Sequence, residues 1–179
     1  CDYISDGNLH TTRVVTYKGQ DGNPGKVSWK EDLPEGATPY LDENTYYPSH
    51  LAVDGYHHIH EDIELMAGMG LNVYRFSICW SRIFPTGLED TPNEAGLKYY
   101  EEVIDDLLAH GMEPLVTICH DEMPAVMAEK YDGWLGREAI DCYVRMAKAV
   151  VDRYKGKVKY WLTFNEINCG TLSLGNYMS

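Results

Sequence analysis

No basic cluster is present in this chain. Its 28 Asp and Glu outweigh 15 Lys and Arg, giving a formal net charge of −13 over 179 residues. Such a surface repels phosphate backbones and anionic lipid headgroups, so neither nucleic acid nor membrane is expected as a partner. No run reaches the ~20 apolar residues that span a bilayer, and no charged-then-apolar leader opens the sequence. The five cysteines (Cys1, Cys79, Cys119, Cys142, Cys169) are odd in number and lack any Cys-x-x-Cys spacing. That argues against structural zinc and dithiol redox work and points to reduced thiols in a cytoplasmic protein. No Gly-x-Gly-x-x-Gly follows a strand-like run, which weakens a nucleotide-binding reading, and no metal or other cofactor is expected. The first residue is Cys1 rather than Met, and a processed chain or a piece of something longer is the expectation.

Residues 1–54 are rich in Gly, Pro, Asp, Asn and Thr, with only a short alternation from Arg13 to Tyr17. They read as an irregular N-terminal segment, of a length usually reserved for an active-site rim or a stretch cut from its context. From Gly55 to Ser179 a pattern repeats three times: an amphipathic helix, a glycine stop, then a short apolar strand. The helix stripes are Ile59, Ile63, Met66 and Ala67; then Leu97, Tyr100, Ile104, Leu107 and Leu108; then Ile140, Tyr143, Ala147, Val150 and Tyr154. Thr91-Pro92-Asn93-Glu94 reads as a capping box opening the second helix. The stops are Gly70, Gly111 and Gly156, and the strands Leu71 to Ile78, Glu113 to Ile118 and Val158 to Phe164. The glycines lie 111 − 70 = 41 and 156 − 111 = 45 residues apart, longer than the ~30 per unit of a compact eight-unit barrel. The surplus falls in the loops after the strands, where such barrels build their pockets. Alternation of this kind also fits a doubly wound open sheet.

The strand ends carry the chemistry. Glu166 follows the apolar run Val158 to Phe164, a strand-end position where a carboxylate acts as acid or base, although a solvated loop Glu is the plainer reading. Arg75 interrupts an apolar strand on the same face as Val73 and Ser77, and a guanidinium held there needs an anion. The second strand ends at His120 and the third at Asn165 and Glu166. If the strands are parallel neighbours, Arg75, His120, Asn165 and Glu166 converge at one mouth. Cleavage of a glycosidic bond needs one carboxylic acid on the leaving oxygen and a second carboxylate opposite, with amide and imidazole groups suited to ring hydroxyls. His57, His58 and His60 beside Glu61 lack the second histidine of a zinc-protease motif and read as a polar helix face. Cys119 reads as packing.

Several motifs in order resemble the family 1 glycoside hydrolases, which are (β/α)₈-barrel retaining β-glycosidases. They are Asp54-Gly55-Tyr56-His57 with Glu61-Asp62-Ile63; Tyr74-Arg75-Phe76-Ser77 through Trp80-Ser81-Arg82-Ile83-Phe84-Pro85; Pro92-Asn93-Glu94; Gly133-Trp134; and Tyr160-Trp161-Leu162-Thr163-Phe164-Asn165-Glu166. The resemblance implies a partial (β/α)₈ barrel, an α/β fold of about three helix–strand units bearing barrel strands 2 to 4, in a single incomplete domain with an irregular segment before it. It implies Glu166 as general acid/base, Asn165 as the 2-hydroxyl ligand, His120 as a sugar-binding histidine and Arg75 as the contact of the nucleophile. His120-Asp121-Glu122-Met123-Pro124 is most similar to the 6-phospho-β-glucosidase branch, with Asp121 where that branch has an aromatic residue. The resemblance also places the nucleophilic glutamate and the 6-phosphate ligands outside this chain. The expected function is part of a retaining β-glycosidase hydrolysing small β-glucosides, with 6-phospho-β-glucosides preferred. The alternatives are an ordinary β-glucosidase fragment or a non-catalytic carbohydrate-binding or interaction fragment. The expected partners are the sugar substrate and either the remainder of the barrel or a second copy of the chain.

Overall fold

A computed structural model describes residues 15–27, 33–40, 42–44, 53–120 and 122–168. The chain divides into two compact units, Cys1–Asp54 and Gly55–Ser179.

The first unit contains a small antiparallel sheet of strands β1 (Val15–Lys18), β2 (Pro24–Val27) and β3 (Thr38–Pro39), in the order β2-β1-β3. This corrects the expectation of an irregular segment. The strands are too short for a periodic signal, and the turn between the first two is made by local polar chemistry instead. Asp21 accepts from the Asn23 backbone N–H at 3.0 Å, Gly22 takes φ +78°, and Gly19 N–H donates to Asn23 O at 2.9 Å. Opposite the turn, the Tyr17 ring covers Gly25, where a Cβ would sit 2.3 Å from it.

The second unit is built from α1 (Gly55–Gly68), β4 (Val73–Ser77), α2 (Trp80–Ile83), α3 (Glu94–Ala109), β5 (Glu113–Cys119), α4 (Ala125–Tyr131), a 3₁₀ turn at Gly133–Leu135, α5 (Glu138–Tyr154) and β6 (Tyr160–Phe164). The sheet runs β4-β5-β6 with both pairings parallel. Helices intervene because parallel neighbours cannot be joined by a hairpin. Among the described residues the three strands form an open sheet with no closed barrel.

The glycine stops act as expected, by two different turns. After α1 and α3, Gly70 and Gly111 take φ +81° and +73°, while Leu71 N–H and Met112 N–H reach back to Met66 O and Leu107 O. Both ends are Schellman motifs. They also explain why β4 starts at Val73 rather than Leu71: the Leu71 donor is already spent on the helix. Gly156 instead sits at φ +92° in a type II turn closed by Lys157 N–H on Tyr154 O at 3.0 Å. Consequently β6 begins at Tyr160 rather than Val158. The cap of α3 is Asn93, whose side chain accepts from Ala95 N–H at 3.2 Å, rather than Thr91.

Ile59 and Ile63 of α1 pack with Val103 and Leu107 of α3 and with Met112, against Tyr74 and Phe76 of β4. Two stripe assignments change, the α3 stripe by one exchange and the start of the α5 stripe by one position. Val103 replaces the exposed Leu108, and α5 buries Ala139, Cys142, Met146, Val150 and Tyr154 while Ile140 faces outward. In α5 the small Ala139 and Cys142 start the 3–4 spacing, a signal that counting large aliphatics misses. Even-numbered β4 residues meet this helix-covered side. Arg75, Leu115 and Tyr160 share the opposite face by register, as do Ser77, Thr117 and Leu162. That face is open, with Val73 49% and Tyr160 54% exposed.

Candidate active site

Of the four residues singled out from sequence, His120, Asn165 and Glu166 follow the carboxyl ends of β5 and β6. Arg75 stands at the middle of β4 and extends across the open face. Its Nε donates to Thr117 Oγ1 of β5 at 3.1 Å and a terminal nitrogen donates to Asn165 Oδ1 at 2.7 Å. One side chain therefore ties all three strands. The guanidinium is satisfied in part by neutral oxygens rather than by the Asp or Glu partner that a purely structural arginine would take.

The last backbone link between β5 and β6 is Asn165 N–H on Cys119 O at 3.0 Å. Beyond it the two chains leave the sheet as His120 on one side and Glu166 on the other, and both side chains are exposed. Glu166 has φ +39°, a left-handed backbone that a non-glycine residue adopts only when its surroundings hold it. The turn redirects the chain at the carboxylate itself. Structure thus brings Arg75 into contact with Asn165, and sets His120 and Glu166 on either side of one interstrand bond.

Behind the strand end stands an aromatic group. Tyr143 of α5 donates its hydroxyl to Thr163 O at 2.8 Å and stacks on Phe164 with centroids 4.5 Å apart. Trp134 meets both rings edge-on at 5.5 and 5.8 Å, and Trp80 meets Tyr143 and Trp134 at 5.9 Å. Burial pushes the Tyr143 phenol well above the ordinary tyrosine range, so it stays a hydrogen-bond donor. The loop after β4 is fixed from the other side. Cys79 N–H donates to the buried Tyr100 hydroxyl at 2.8 Å, Asn93 N–H donates to Ile83 O at 2.7 Å, and the Arg82 guanidinium lies 4.4 Å over Tyr56.

Sequence reasoning missed Thr117 and the part played by Tyr143. Thr117 had a signal: a lone hydroxyl in the apolar run Leu115 to Cys119, in register with Ser77 on the face of Arg75. Tyr143 was assigned only to a helix stripe. The cysteine reading is consistent with the packing found here. Cys79, Cys119 and Cys142 are free and buried, burial pushes the Cys79 thiol up, and Cys119 Sγ donates to Glu122 O at 3.5 Å. His60 pairs with Asp106 at 2.7 Å and His58 with Glu61 at 3.6 Å. Among the described residues no group of three His, Cys, Asp or Glu is arranged to hold a metal ion, and no helix is long and apolar enough to cross a membrane. Asp121 lies outside the described residues.

Parallel strand–helix units with polar side chains gathered near neighbouring strand ends place the chain among α/β folds, β/α barrels and doubly wound sheets alike. Residues 21–178 match glycosyl hydrolase family 1, and the chain belongs to that family. Membership implies a partial (β/α)₈ fold. The aryl-phospho-β-D-glucosidase BglA of Bacillus subtilis (strain 168) is 53% identical over 136 residues, 76% of this chain and 28% of its own. A phospho-cellobiase of Klebsiella oxytoca is 51% identical over 171 residues, 93% of this chain and 33% of its own. A rice Os3BGlu6 β-glucosidase of known structure is 43% identical, with a TM-score of 0.66 over 68% of this chain and 25% of its own. The chain spans a quarter to a third of the length of these relatives. Its resemblance to the 6-phospho-β-glucosidase branch is shown by relatives of that kind at about 50% identity over part of their length.

Proposed function

We propose that this chain carries the acid/base-bearing part of a retaining β-glycosidase whose substrates are small 6-phospho-β-glucosides. On this reading β4, β5 and β6 are barrel strands 2 to 4, and the nucleophilic carboxylate and the 6-phosphate ligands come from the remainder of the barrel. The observation that carries the proposal is the Arg75–Asn165 contact at the strand ends beside Glu166. Glu166 is the general acid/base. It protonates the departing glycosidic oxygen as the nucleophile attacks the anomeric carbon, then takes a proton from the water that releases the sugar. Asn165 hydrogen-bonds the sugar 2-hydroxyl and His120 a further ring hydroxyl. Arg75 turns its remaining N–H groups toward the nucleophile and favours that carboxylate's ionised form, which separates the roles of the two carboxyl groups. Residues 1–54 form the segment ahead of the three units. The free, buried thiols support a reducing, cytoplasmic setting.

The test is Glu166→Gln in the complete enzyme. The amide keeps the shape but has no proton to give, so hydrolysis of a disaccharide with a poor leaving group should fall by about 10²–10⁴-fold while activated aryl glycosides suffer less. Unchanged disaccharide turnover refutes the assignment. The phosphorylated substrate is supported by the names of relatives at about 50% identity. The rice β-glucosidase favours the second reading, a plain β-glucosidase. Comparing kcat/KM on 4-nitrophenyl β-glucoside and its 6-phosphate decides between them.

A further inference from the structure

We infer that Thr117 is a positioning residue of the sugar site: by anchoring Arg75 it fixes which end of the Asn165 amide is offered to a substrate. The inference rests on the reading of Asn165 as a ligand of the sugar 2-hydroxyl and goes beyond it by assigning the polarity of that contact.

A guanidinium has donors and no acceptor, so the Asn165 atom 2.7 Å from Arg75 is the amide oxygen. Holding that oxygen toward Arg75 leaves the amide nitrogen, with its two donors, as the end available to a ligand. The ligand group must then accept. A hydroxyl does so and an ammonium cannot. The preference persists only while Arg75 stays in place, since an unanchored guanidinium on the open sheet face would let the amide rotate and present its oxygen instead.

Thr117 supplies the anchor. It is fully buried in β5, and its hydroxyl accepts from Arg75 Nε at 3.1 Å, while a different nitrogen of the same guanidinium donates to Asn165. Two bonds to two strands fix both the position and the tilt of the planar group. Ser77↔Thr117 register puts the hydroxyl on the face Arg75 crosses, so no backbone adjustment is required.

The experiment uses the full-length enzyme and a ratio of kcat/KM values. The substrates are 4-nitrophenyl β-glucoside and 4-nitrophenyl 2-amino-2-deoxy-β-glucoside, or their 6-phosphates, assayed near pH 6, about two units below the pKa of a simple amine of this type. Thr117→Val keeps the size and β-branching and removes the acceptor, and the charge of Arg75 is unchanged. The expected result is that discrimination against the 2-ammonium sugar falls about tenfold, the equivalent of one hydrogen bond to a charged group. Thr117→Ser, which retains the hydroxyl, keeps the parental ratio. Arg75→Lys gives a second route: one ammonium cannot span both oxygens, so the same ratio falls with the charge conserved.

An unchanged ratio in Thr117→Val, with a melting temperature showing a folded protein and with Glu166→Gln still impaired, overturns the role of Thr117 and leaves the glycosidase reading standing. If Thr117→Val does not fold, an unchanged ratio in Arg75→Lys overturns it equally. Full disaccharide turnover by Glu166→Gln removes the glycosidase reading and this inference with it.

Discussion

Tyr143 offers the sharpest test of how the end of β6 is held, because its two contacts can be removed one at a time. Tyr143→Phe deletes only the hydroxyl that donates to Thr163 O at 2.8 Å. Thr163 is exposed, so water can replace the lost donor, and the cost is that of an ordinary hydrogen bond, about 1 kcal/mol. Tyr143→Ala also removes the ring that stacks on Phe164 at 4.5 Å and meets Trp134 and Trp80 edge-on. Full truncation of a core aromatic costs about 3–5 kcal/mol. Tyr143 is only half-buried, so about 2–3 kcal/mol is expected, leaving a gap of roughly 1–2 kcal/mol between the two variants.

Urea unfolding followed by tryptophan fluorescence reads this directly, since Trp134 and Trp80 lie against the ring that is removed. Function should follow the same order in the complete enzyme. Asn165 and Glu166 come immediately after Phe164, so losing the stack loosens the carboxylate while losing the hydroxyl alone barely moves it. Equal stabilities of Tyr143→Phe and Tyr143→Ala would falsify the view that stacking, rather than the hydrogen bond, fixes the strand end.

Other consequences follow from single features. Gly96→Ala places a Cβ 2.1 Å from the backbone oxygen of Arg82, which cannot swing aside, so thermal unfolding should show a loss of about 1–3 kcal/mol despite the gain in helix propensity. Burial raises the pKa of Tyr100 and Tyr154 above the ordinary tyrosine value. Their contribution is complete below about pH 10 and falls above it, because the unfolded chain releases those protons first; each group costs about 1.4 kcal/mol per pH unit there, and Tyr154→Phe should flatten the alkaline limb. Glu101 accepts from Lys157 and Arg153 and has a lowered pKa, so its contribution is present above about pH 4.5 and is lost on acidification; Glu101→Gln should flatten the acid limb of an unfolding curve. The chain by itself should not hydrolyse β-glucosides and should associate through β4 and β6, whose outer edges have no partner strand among the described residues; a monodisperse monomer in light scattering that turns over substrate overturns both halves.

The legible part of this fold was whatever repeats with a period or needs a special backbone. Gly70 and Gly111 announced helix ends because few other residues take φ near +75° cheaply, and Ile59 with Ile63 announced a buried face because the interval of four fits a helix. Illegible were the elements of a few residues. The three strands before Val27 and Pro39 leave no period to detect, and the turn Trp80–Ile83 is held by long-range contacts such as Asn93 N–H on Ile83 O. The site divides the same way. Glu166 and Arg75 stand out by chemical type against apolar runs, whereas Thr117 and Tyr143 earn their places by where the register and the helix packing put them, 42 and 20 residues from their respective partners Arg75 and Thr163.

That division has a physical root in how the candidate site is assembled. Every bond described at the strand ends runs among β4, β5, β6 and α5: Arg75 to Thr117 and Asn165, Asn165 N–H to Cys119 O, and Tyr143 to Thr163 O. None of these requires a nucleophile to be present. The left-handed backbone at Glu166 follows directly on the interstrand bond of Asn165 and the aromatic stack on Phe164. A retaining mechanism needs its two carboxylates about 5–5.5 Å apart, a distance small enough that independent motion of the two halves would spoil it. On the proposed reading of Glu166 as the acid/base, placement by its own units would leave closure of the barrel with one geometric task, to bring the second carboxylate to it.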